Sequence, residues 1–146
     1  MFIKLATNKD LKVIYNAVPH LFKEAMNCQI AVSDDALKAL SKELVSKGAR
    51  YFVWKEGESI KGFILFDTKF DYLTQQAYGF IYELYVFEEY RGMHIAKELI
   101  NFIQKYAQDQ GLLTLKLNVF TSSTVQRFYS ALGYQVEQMT MSLSLK

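Results

Sequence analysis

The chain has 146 residues, 51% of them hydrophobic, and a formal net charge of +2. This length and apolar content predict one domain, residues 1–146, with a sizeable core. The small charge gives no reason to expect a nucleic-acid partner, and no apolar run is long enough to span a membrane. Cys28 is the only cysteine, which excludes an internal disulfide and a cysteine-rich zinc site.

Three further features limit the class of protein. The first ten residues lack the long apolar region of a signal peptide, so a cytoplasmic location is expected. The two histidines, His20 and His94, lack the paired spacing of a ligand cluster, so no metal is expected. Cys28 is expected to be a small buried side chain rather than a catalytic thiol.

The beginning of the chain predicts a strand followed by helices. Residues 2–6 have the composition of a short strand, and Thr7 or Asn8 can cap the helix that follows. Pro19 is expected to break or bend that helix, and residues 20–30 are ambiguous between a helical piece and a loop. Ser33 can cap a further helix, which is expected to stop at residues 47–48.

The middle of the chain predicts strands. Residues 50–67 form two strand patterns around the turn 56–58, which indicates a hairpin. Residues 68–79 are expected to be a polar connection, and residues 78–87 a third strand rich in aromatic and branched side chains.

The last third alternates helix and strand. Apolar residues at helical spacing predict a helix from residue 95 that stops at Gly111, and residues 112–120 predict a strand. Ser123 and Gln126 form a capping-box pattern for a helix that ends at Gly133. Residues 134–145 are expected to be a last strand. The order predicts a mixed α/β (α+β) fold, antiparallel in its first half and parallel in its strand–helix–strand units.

The junction between residues 86 and 96 has the chemistry of an anion site. The first turn of a helix leaves backbone N–H groups without partners, and its dipole adds positive potential. Gly92 allows a tight turn, Ala96 is small, and Arg91 supplies a charge suited to phosphate. An ordinary turn with a solvated arginine is equally compatible with these six residues.

The wider pattern resembles the GNAT family of acyl-CoA-dependent N-acyltransferases. The resemblance covers residues 78–145: the strand YELYV, the turn, its helix, the strand LKLNV and a helix ending in FYSALGY. The family's pyrophosphate signature, Q/R-x-x-G-x-G/A, corresponds here to Arg91, Gly92, Met93, His94, Ile95 and Ala96. His94 stands where the family has its central glycine, and it carries strain if that position needs a positive φ.

The resemblance implies a fold and a co-substrate. It implies a mostly antiparallel mixed sheet, with splayed fourth and fifth strands and helices on both faces, that binds acetyl-CoA. Backbone groups of Leu84, Tyr85 and Val86 would contact the pantetheine arm, and the N–H of Val86 would polarise the thioester carbonyl. Ser122 falls where the family has an asparagine that contacts the pantetheine.

Two residues are candidates for proton transfer. Tyr129 matches the family tyrosine that protonates the leaving thiolate, although it also lies on an apolar helix face. Glu83 is the candidate base, because a carboxylate in an aliphatic and aromatic strand has a raised pKa. Alternation places Glu83 on the face opposite Leu84 and Val86, together with Ile81 and Tyr85. An exposed strand edge or an ion pair is the alternative surrounding for Glu83.

The acceptor is expected to be a primary amine of a small molecule or a protein. The resemblance places its site at residues 18–32 and 67–79, with candidate side chains Phe22, Asp67, Phe70, Asp71, Tyr72 and Tyr78. A rival hypothesis is a GNAT-fold module that binds acyl-CoA without catalysis, as a sensor or partner subunit. Whether residues 139–145 form a dimerisation strand, as late strands often do in this family, stays open.

Overall fold

A computed structural model describes residues 2–26, 31–120 and 124–146. It contains five strands, four α-helices and one short 3₁₀ turn in a mixed α/β arrangement. In chain order they are β1 Phe2–Leu5, α1 Asn8–Ala25, α2 Asp34–Ser46, β2 Arg50–Glu56, β3 Ser59–Asp71, β4 Gln76–Val86, the 3₁₀ turn Glu88–Tyr90, α3 Ile95–Asp109, β5 Leu115–Leu117 and α4 Val125–Ala131.

The five strands form one sheet in the order β1-β2-β3-β4-β5. The first four pair antiparallel with their neighbours, and β5 alone pairs parallel, with β4. Parallel neighbours need a crossover, and α3 supplies it between β4 and β5. The predicted class, a mostly antiparallel mixed sheet with helices on both faces, is confirmed.

The two faces of the sheet carry separate cores. On one face, α1 and α2 pack over a cluster that contains Ile14, Val18, Val53, Phe63 and Leu65. On the other face, α3 and α4 pack over a cluster that contains Phe52, Ile64, Ile81, Leu99, Ile103 and Tyr129. Successive side chains along β2 and β3 point to opposite faces of the sheet. Because helices cover both faces, the two sets of side chains form two separate cores.

A bulge interrupts β4 at Tyr82. Leu65 of β3 lies opposite Glu83, whereas the next residue, Phe66, lies opposite Ile81, so Tyr82 has no partner in the ladder. A bulge places two consecutive side chains on the same face of the strand. Tyr82 and Glu83 therefore both face α1 and α2, and the predicted grouping of Ile81 with Glu83 is wrong: Ile81 lies in the core beneath α3.

The first helix is fixed to the sheet by a buried ion pair. Thr7 caps α1, and its side chain and that of Asp10 form a capping box. Asp10 Oδ1 also lies 2.7 Å from Lys55 Nζ of β2, with both side chains almost fully buried. Burial acts to raise the pKa of Asp10, but the bonds from Lys55 and Thr7 outweigh it and hold the pKa below its ordinary value.

Three predictions about elements need correction. Pro19 does not end the first helix, which continues to Ala25. Residues 68–79 are not a connection: β3 and β4 pair as far as Asp71 and Gln76, and their polar residues belong to a hairpin arm that solvent reaches. Residues 134–146 contain no strand, because alternation indicates one-sided burial but does not supply a pairing partner. The Ser123 capping pattern lies outside the described residues.

Candidate active site

The shared edge between β4 and β5 is short. It consists of three pairs, Gly79 with Leu115, Phe80 with Lys116 and Ile81 with Leu117. The end of this ladder coincides with the bulge at Tyr82. Beyond it, residues 83–86 pair with β3 alone in the described part of the chain, so one edge of β4 is open.

Backbone direction shows which groups face this open edge. The N–H of Phe87 donates to the carbonyl of Lys61. Lys61 directly precedes Gly62, which is the residue opposite Val86 on β3. Because N–H and C=O groups alternate along a strand, Leu84 and Val86 direct theirs away from β3. Tyr85 directs its own toward β3. The hypothesis of backbone contacts to pantetheine is therefore narrowed to Leu84 and Val86.

Close packing fixes the beginning of α3 beside this edge. Gly62 lies opposite Val86, and a Cβ at Gly62 would lie 3.0 Å from the carbonyl oxygen of Tyr85 and 3.1 Å from Cγ2 of Ile95. Trp54 Nε1 donates to Glu98 Oε2 at 2.6 Å, which attaches the first turn of α3 to the sheet. Ile95 is 2% exposed and anchors the same turn.

The turn before α3 uses two left-handed residues. Gly92 has φ +82° and His94, the N-cap residue, has φ +64°. The strain that the sequence implied for His94 is therefore present, since a side chain at positive φ is disfavoured. The His94 side chain makes no capping bond to the first turn. Residues 91–94 are exposed and Ala96 is half-buried, so the first-turn N–H groups lie at the surface.

The side chain of Arg91 points back from this turn to β4 and α1. Its Nε donates to the carbonyl oxygen of Val86 at 2.9 Å. Its second terminal nitrogen lies 2.9 Å and 3.1 Å from the two carboxylate oxygens of Glu24. The guanidinium also lies 5.3 Å from the centre of the Tyr85 ring. One hydrogen-bonding group of the open edge is thus occupied by the protein itself.

Glu83 is buried beneath α2 and is 4% exposed. Ser41 Oγ donates to one of its carboxylate oxygens and the Tyr51 hydroxyl to the other, both at 2.6 Å. Burial raises the pKa of Glu83, and these two hydrogen bonds only partly oppose the effect. Its surroundings are neither an exposed edge nor an ion pair, the two alternatives that the sequence left. The pKa of Tyr51 is raised well above its ordinary value by burial and by Glu83.

The sequence did not single out Ser41 and Tyr51. Ser41 lies four residues after Leu37 on the apolar side of α2, and it is fully buried. A hydroxyl within an apolar helical stripe signals a buried polar partner, and this signal was available in the sequence. Tyr51 gave no such signal, because aromatic residues are common in strands.

Tyr129 lies on the other face of the sheet. It is 7% exposed and packs in the core beneath α3, with ring contacts to Phe128 and Tyr134 at 5.2 Å and 5.5 Å. Leu84 and Val86 border the same cluster. Burial, with a smaller contribution from Tyr134, raises the pKa of Tyr129 well above its ordinary value. The phenol therefore keeps its proton at neutral pH.

The remaining candidates do not gather into one pocket. Phe22 packs against the α1–α2 core, whereas Phe70 and Tyr72 contact each other near the exposed end of the β3–β4 hairpin. Asp71 caps that hairpin through the N–H groups of Leu73 and Thr74. Ser122 and Cys28 lie outside the described residues. An open groove of about 550 Å³ between β1 and α3 contains none of the candidates.

Within residues 2–26, 31–120 and 124–146, no group of three or more His, Cys, Asp or Glu side chains has the arrangement of a metal site. No helix in those ranges is both long enough and apolar enough to cross a membrane.

Comparison with known proteins gives a consistent family. The model of the acetyltransferase (GNAT) family matches residues 16–134. The uncharacterized N-acetyltransferase YycN of Bacillus subtilis (strain 168) is 29% identical, and the match covers 99% of this chain and 98% of that protein.

Solved structures show the same fold. A possible acetyltransferase from Clostridium difficile 630 matches with a TM-score of 0.81 at 21% identity, covering 99% of this chain and 97% of that one. A ribosomal-protein-alanine N-acetyltransferase from Brucella melitensis biovar Abortus 2308 matches with a TM-score of 0.73 at 18% identity, covering 99% and 98%.

Proposed function

The chain belongs to the acetyltransferase (GNAT) family, and we propose that it transfers an acetyl group directly from acetyl-CoA to a primary amine of a small molecule or a protein. The open edge of β4, which leads to a left-handed turn and the beginning of α3, carries this proposal. Such an edge offers amide groups to the amide-containing pantetheine, and a helix beginning offers N–H groups to pyrophosphate.

Backbone groups of β4 and of the turn before α3 are proposed to bind acetyl-CoA. Leu84 and Val86 would hold the pantetheine through their backbone, and residues 92–96 would hold the pyrophosphate through theirs. His94 supplies a backbone N–H as well as glycine does, and its left-handed conformation is already adopted. When bound, acetyl-CoA supplies the activated acyl group as a thioester.

Glu83 and Tyr129 are proposed to move protons. The raised pKa of Glu83 makes its carboxylate a stronger base than an exposed glutamate. The amine's proton is proposed to reach it through a hydroxyl, because Glu83 is buried and Ser41 and Tyr51 each bond one of its oxygens. A hydroxyl can donate one proton to Glu83 while it accepts another. Tyr129 retains its proton and can donate it on the opposite face.

One observation favours a second candidate function. Glu83 is buried and both of its oxygens are bonded, which also suits a structural carboxyl that fastens α2 to the sheet. In that case the chain would bind acyl-CoA as a sensor or partner subunit without turnover. Release of free thiol from acetyl-CoA in the presence of an amine distinguishes the two functions.

The decisive experiment is calorimetric titration with acetyl-CoA and with CoA, followed by a thiol-release screen over amino acids, polyamines and peptides. Micromolar binding with amine-dependent thiol release is expected. Binding without release for any amine would favour the sensor, and absence of binding would contradict both functions.

Two glycines provide a matched test of the turn. Gly92 and Gly57 both have positive φ, and a Cβ would meet nothing within 4 Å at either. Gly92→Ala and Gly57→Ala should therefore cost similar stability, about 1 kcal/mol. Only Gly92→Ala should weaken acetyl-CoA binding. Equal affinities in the two variants would place the pyrophosphate elsewhere.

Two further expectations belong to this proposal. The exposed apolar residues Met139, Met141, Leu143 and Leu145 alternate with polar ones, which suits a strand that pairs with a second copy. A homodimer measured by light scattering that becomes monomeric on deletion of residues 139–146 would support it. We also propose a cytoplasmic location, which the proposed use of acetyl-CoA supports, and fractionation of the native host tests it.

A further inference from the structure

Arg91 is held by three groups from two elements of the fold, β4 and α1. These are the carbonyl oxygen of Val86 at the end of β4, the aromatic face of Tyr85, and the carboxylate of Glu24. An isolated surface ion pair contributes little, but a guanidinium that is bonded and stacked at once has a defined position. Arg91 is therefore fixed beside the open edge of β4 rather than free in solvent.

Glu24 brings α1 into this arrangement. It lies in the last turn of α1, far along the chain from Arg91, and both of its oxygens lie within 3.1 Å of the same guanidinium nitrogen. The side chains of Arg91 and Glu24 are 41% and 51% exposed, so a ligand arriving from solvent can reach both. The ion pair is thus a contact between the end of α1 and the proposed cofactor site.

The charges of this contact oppose anion binding. Phosphate oxygens and carboxylate oxygens both accept hydrogen bonds from guanidinium N–H groups, so the two anions compete for them. While Glu24 is bonded to one terminal nitrogen of Arg91, its carboxylate offsets part of the positive charge that a phosphate would meet. Glu88 and Glu89 precede Arg91 and add negative potential on the same turn.

We propose that Glu24 is a positioning residue that competes with the phosphates of acetyl-CoA for Arg91, and thereby couples the end of α1 to cofactor binding. This inference rests on the proposed function, and it deepens it. Cofactor binding releases Glu24, and the end of α1 gains freedom. By linkage, an acceptor that draws α1 away from Arg91 raises the affinity for acetyl-CoA by the same factor as acetyl-CoA raises the acceptor's affinity.

The test is a set of four variants titrated with acetyl-CoA in the calorimeter: Glu24→Gln, Glu24→Asp, Arg91→Gln, and Glu24→Gln with Arg91→Gln. Glu24→Gln keeps the shape and removes the charge, so it should tighten binding about threefold at low salt. Glu24→Asp should stay close to the wild type. In the Arg91→Gln background, Glu24→Gln should change the affinity very little, because the competitor and its target are coupled.

Salt dependence separates this role from a structural one. Glu24→Gln exposes one more cation to the phosphates, so its affinity should fall more steeply with ionic strength than that of the wild type. A structural contact alone would give weaker binding in Glu24→Gln and an unchanged dependence on salt. Either of those results, or an equal effect of Glu24→Gln with and without Arg91, would overturn the inference.

Hydrogen exchange gives an independent readout. Acetyl-CoA should speed amide exchange in residues 22–26 of the wild type and leave it unchanged in Glu24→Gln. Unchanged or slower exchange in the wild type, with binding present, would contradict the inference alone. Absence of acetyl-CoA binding in the wild type and in all four variants would overturn the proposed function and the inference together.

Discussion

Glu83 and Tyr129 are buried to almost the same extent, 4% and 7% exposed, on opposite faces of one sheet. Their surroundings differ. Two hydroxyls donate to Glu83 at 2.6 Å, whereas aromatic and aliphatic side chains surround Tyr129. Burial raises the pKa of both groups. The carboxylate of Glu83 is therefore a stronger base, and the phenol of Tyr129 keeps its proton to a higher pH.

The difference places the two candidate proton-transfer groups on opposite faces of one sheet. Without the bulge, simple alternation would place residues 82 and 83 on opposite faces. The bulge brings Tyr82 to the same face as Glu83, and ordinary alternation then directs Leu84 and Val86 toward the core that contains Tyr129. The open edge of β4 thus lies between a buried carboxyl group on one side and a buried phenol on the other.

Glu83→Gln should have the largest effect on activity. The amide keeps the shape and can still accept a hydrogen bond from Ser41 or Tyr51, so the fold should persist. Because an amide cannot take up the amine's proton, kcat should fall by about 10³-fold. Thiol-release kinetics measure this effect, and urea unfolding checks the fold. A kcat within twofold of the wild type would remove Glu83 from the mechanism and leave it as a structural carboxyl.

Tyr129→Phe should lower kcat by about 10²-fold while the affinity for acetyl-CoA stays nearly unchanged, since the ring packing is retained and only the proton donor is lost. Tyr134→Phe is the matched control, because Tyr134 contacts Tyr129 on the same face at 5.5 Å. Steady-state kinetics and calorimetry separate the two quantities. A wild-type rate in Tyr129→Phe would show that the thiolate leaves without this acid.

The sequence predicted the order of elements as far as the last helix and the parallel pair, because these depend on local composition and on rules of connection. Ser33 was correctly identified as a helix cap for the same reason, and Thr7, one of the two residues offered for the first helix, is its cap. Capping depends on a hydroxyl and a backbone N–H that are three residues apart, and such short-range geometry is visible in a single sequence.

Features that depend on pairing across the sheet were not predicted. The bulge at Tyr82 becomes visible only when residues of β3 and β4 are counted against each other. The contacts of Ser41 and Tyr51 with Glu83 join residues 42 and 32 positions apart. The bond from Arg91 to Glu24 joins residues 67 positions apart. It directs the guanidinium toward α1 and not toward the phosphate site that the sequence suggested.

Tyr51→Phe tests whether the hydroxyls tune Glu83. Loss of this donor leaves one buried carboxylate oxygen without its partner, which should cost about 1–3 kcal/mol of unfolding free energy. The Tyr51 bond lowers the pKa of Glu83, so its removal should move the acidic limb of the kcat/KM profile to higher pH. Tyr134→Phe loses only a 3.2 Å bond from Gln104 and should leave the limb in place. An unmoved limb in Tyr51→Phe would mean that the limb belongs to another group.

The smallest expected effect is on the pH dependence of stability, and it contrasts Glu83 with Asp10. The raised pKa of Glu83 means that folding favours its protonated form, so its contribution is complete below the ordinary pKa of 4.5 and is lost as pH rises through the folded value. Asp10, with a lowered pKa, behaves oppositely, and its contribution is lost as pH falls through its folded value. The urea midpoints of the wild type and Glu83→Gln can be measured from pH 4 to pH 9. The midpoint of Glu83→Gln should rise relative to that of the wild type as the pH increases. Parallel curves would show that Glu83 has the same pKa in the folded and unfolded chain, and its proposed advantage as a base would then be absent.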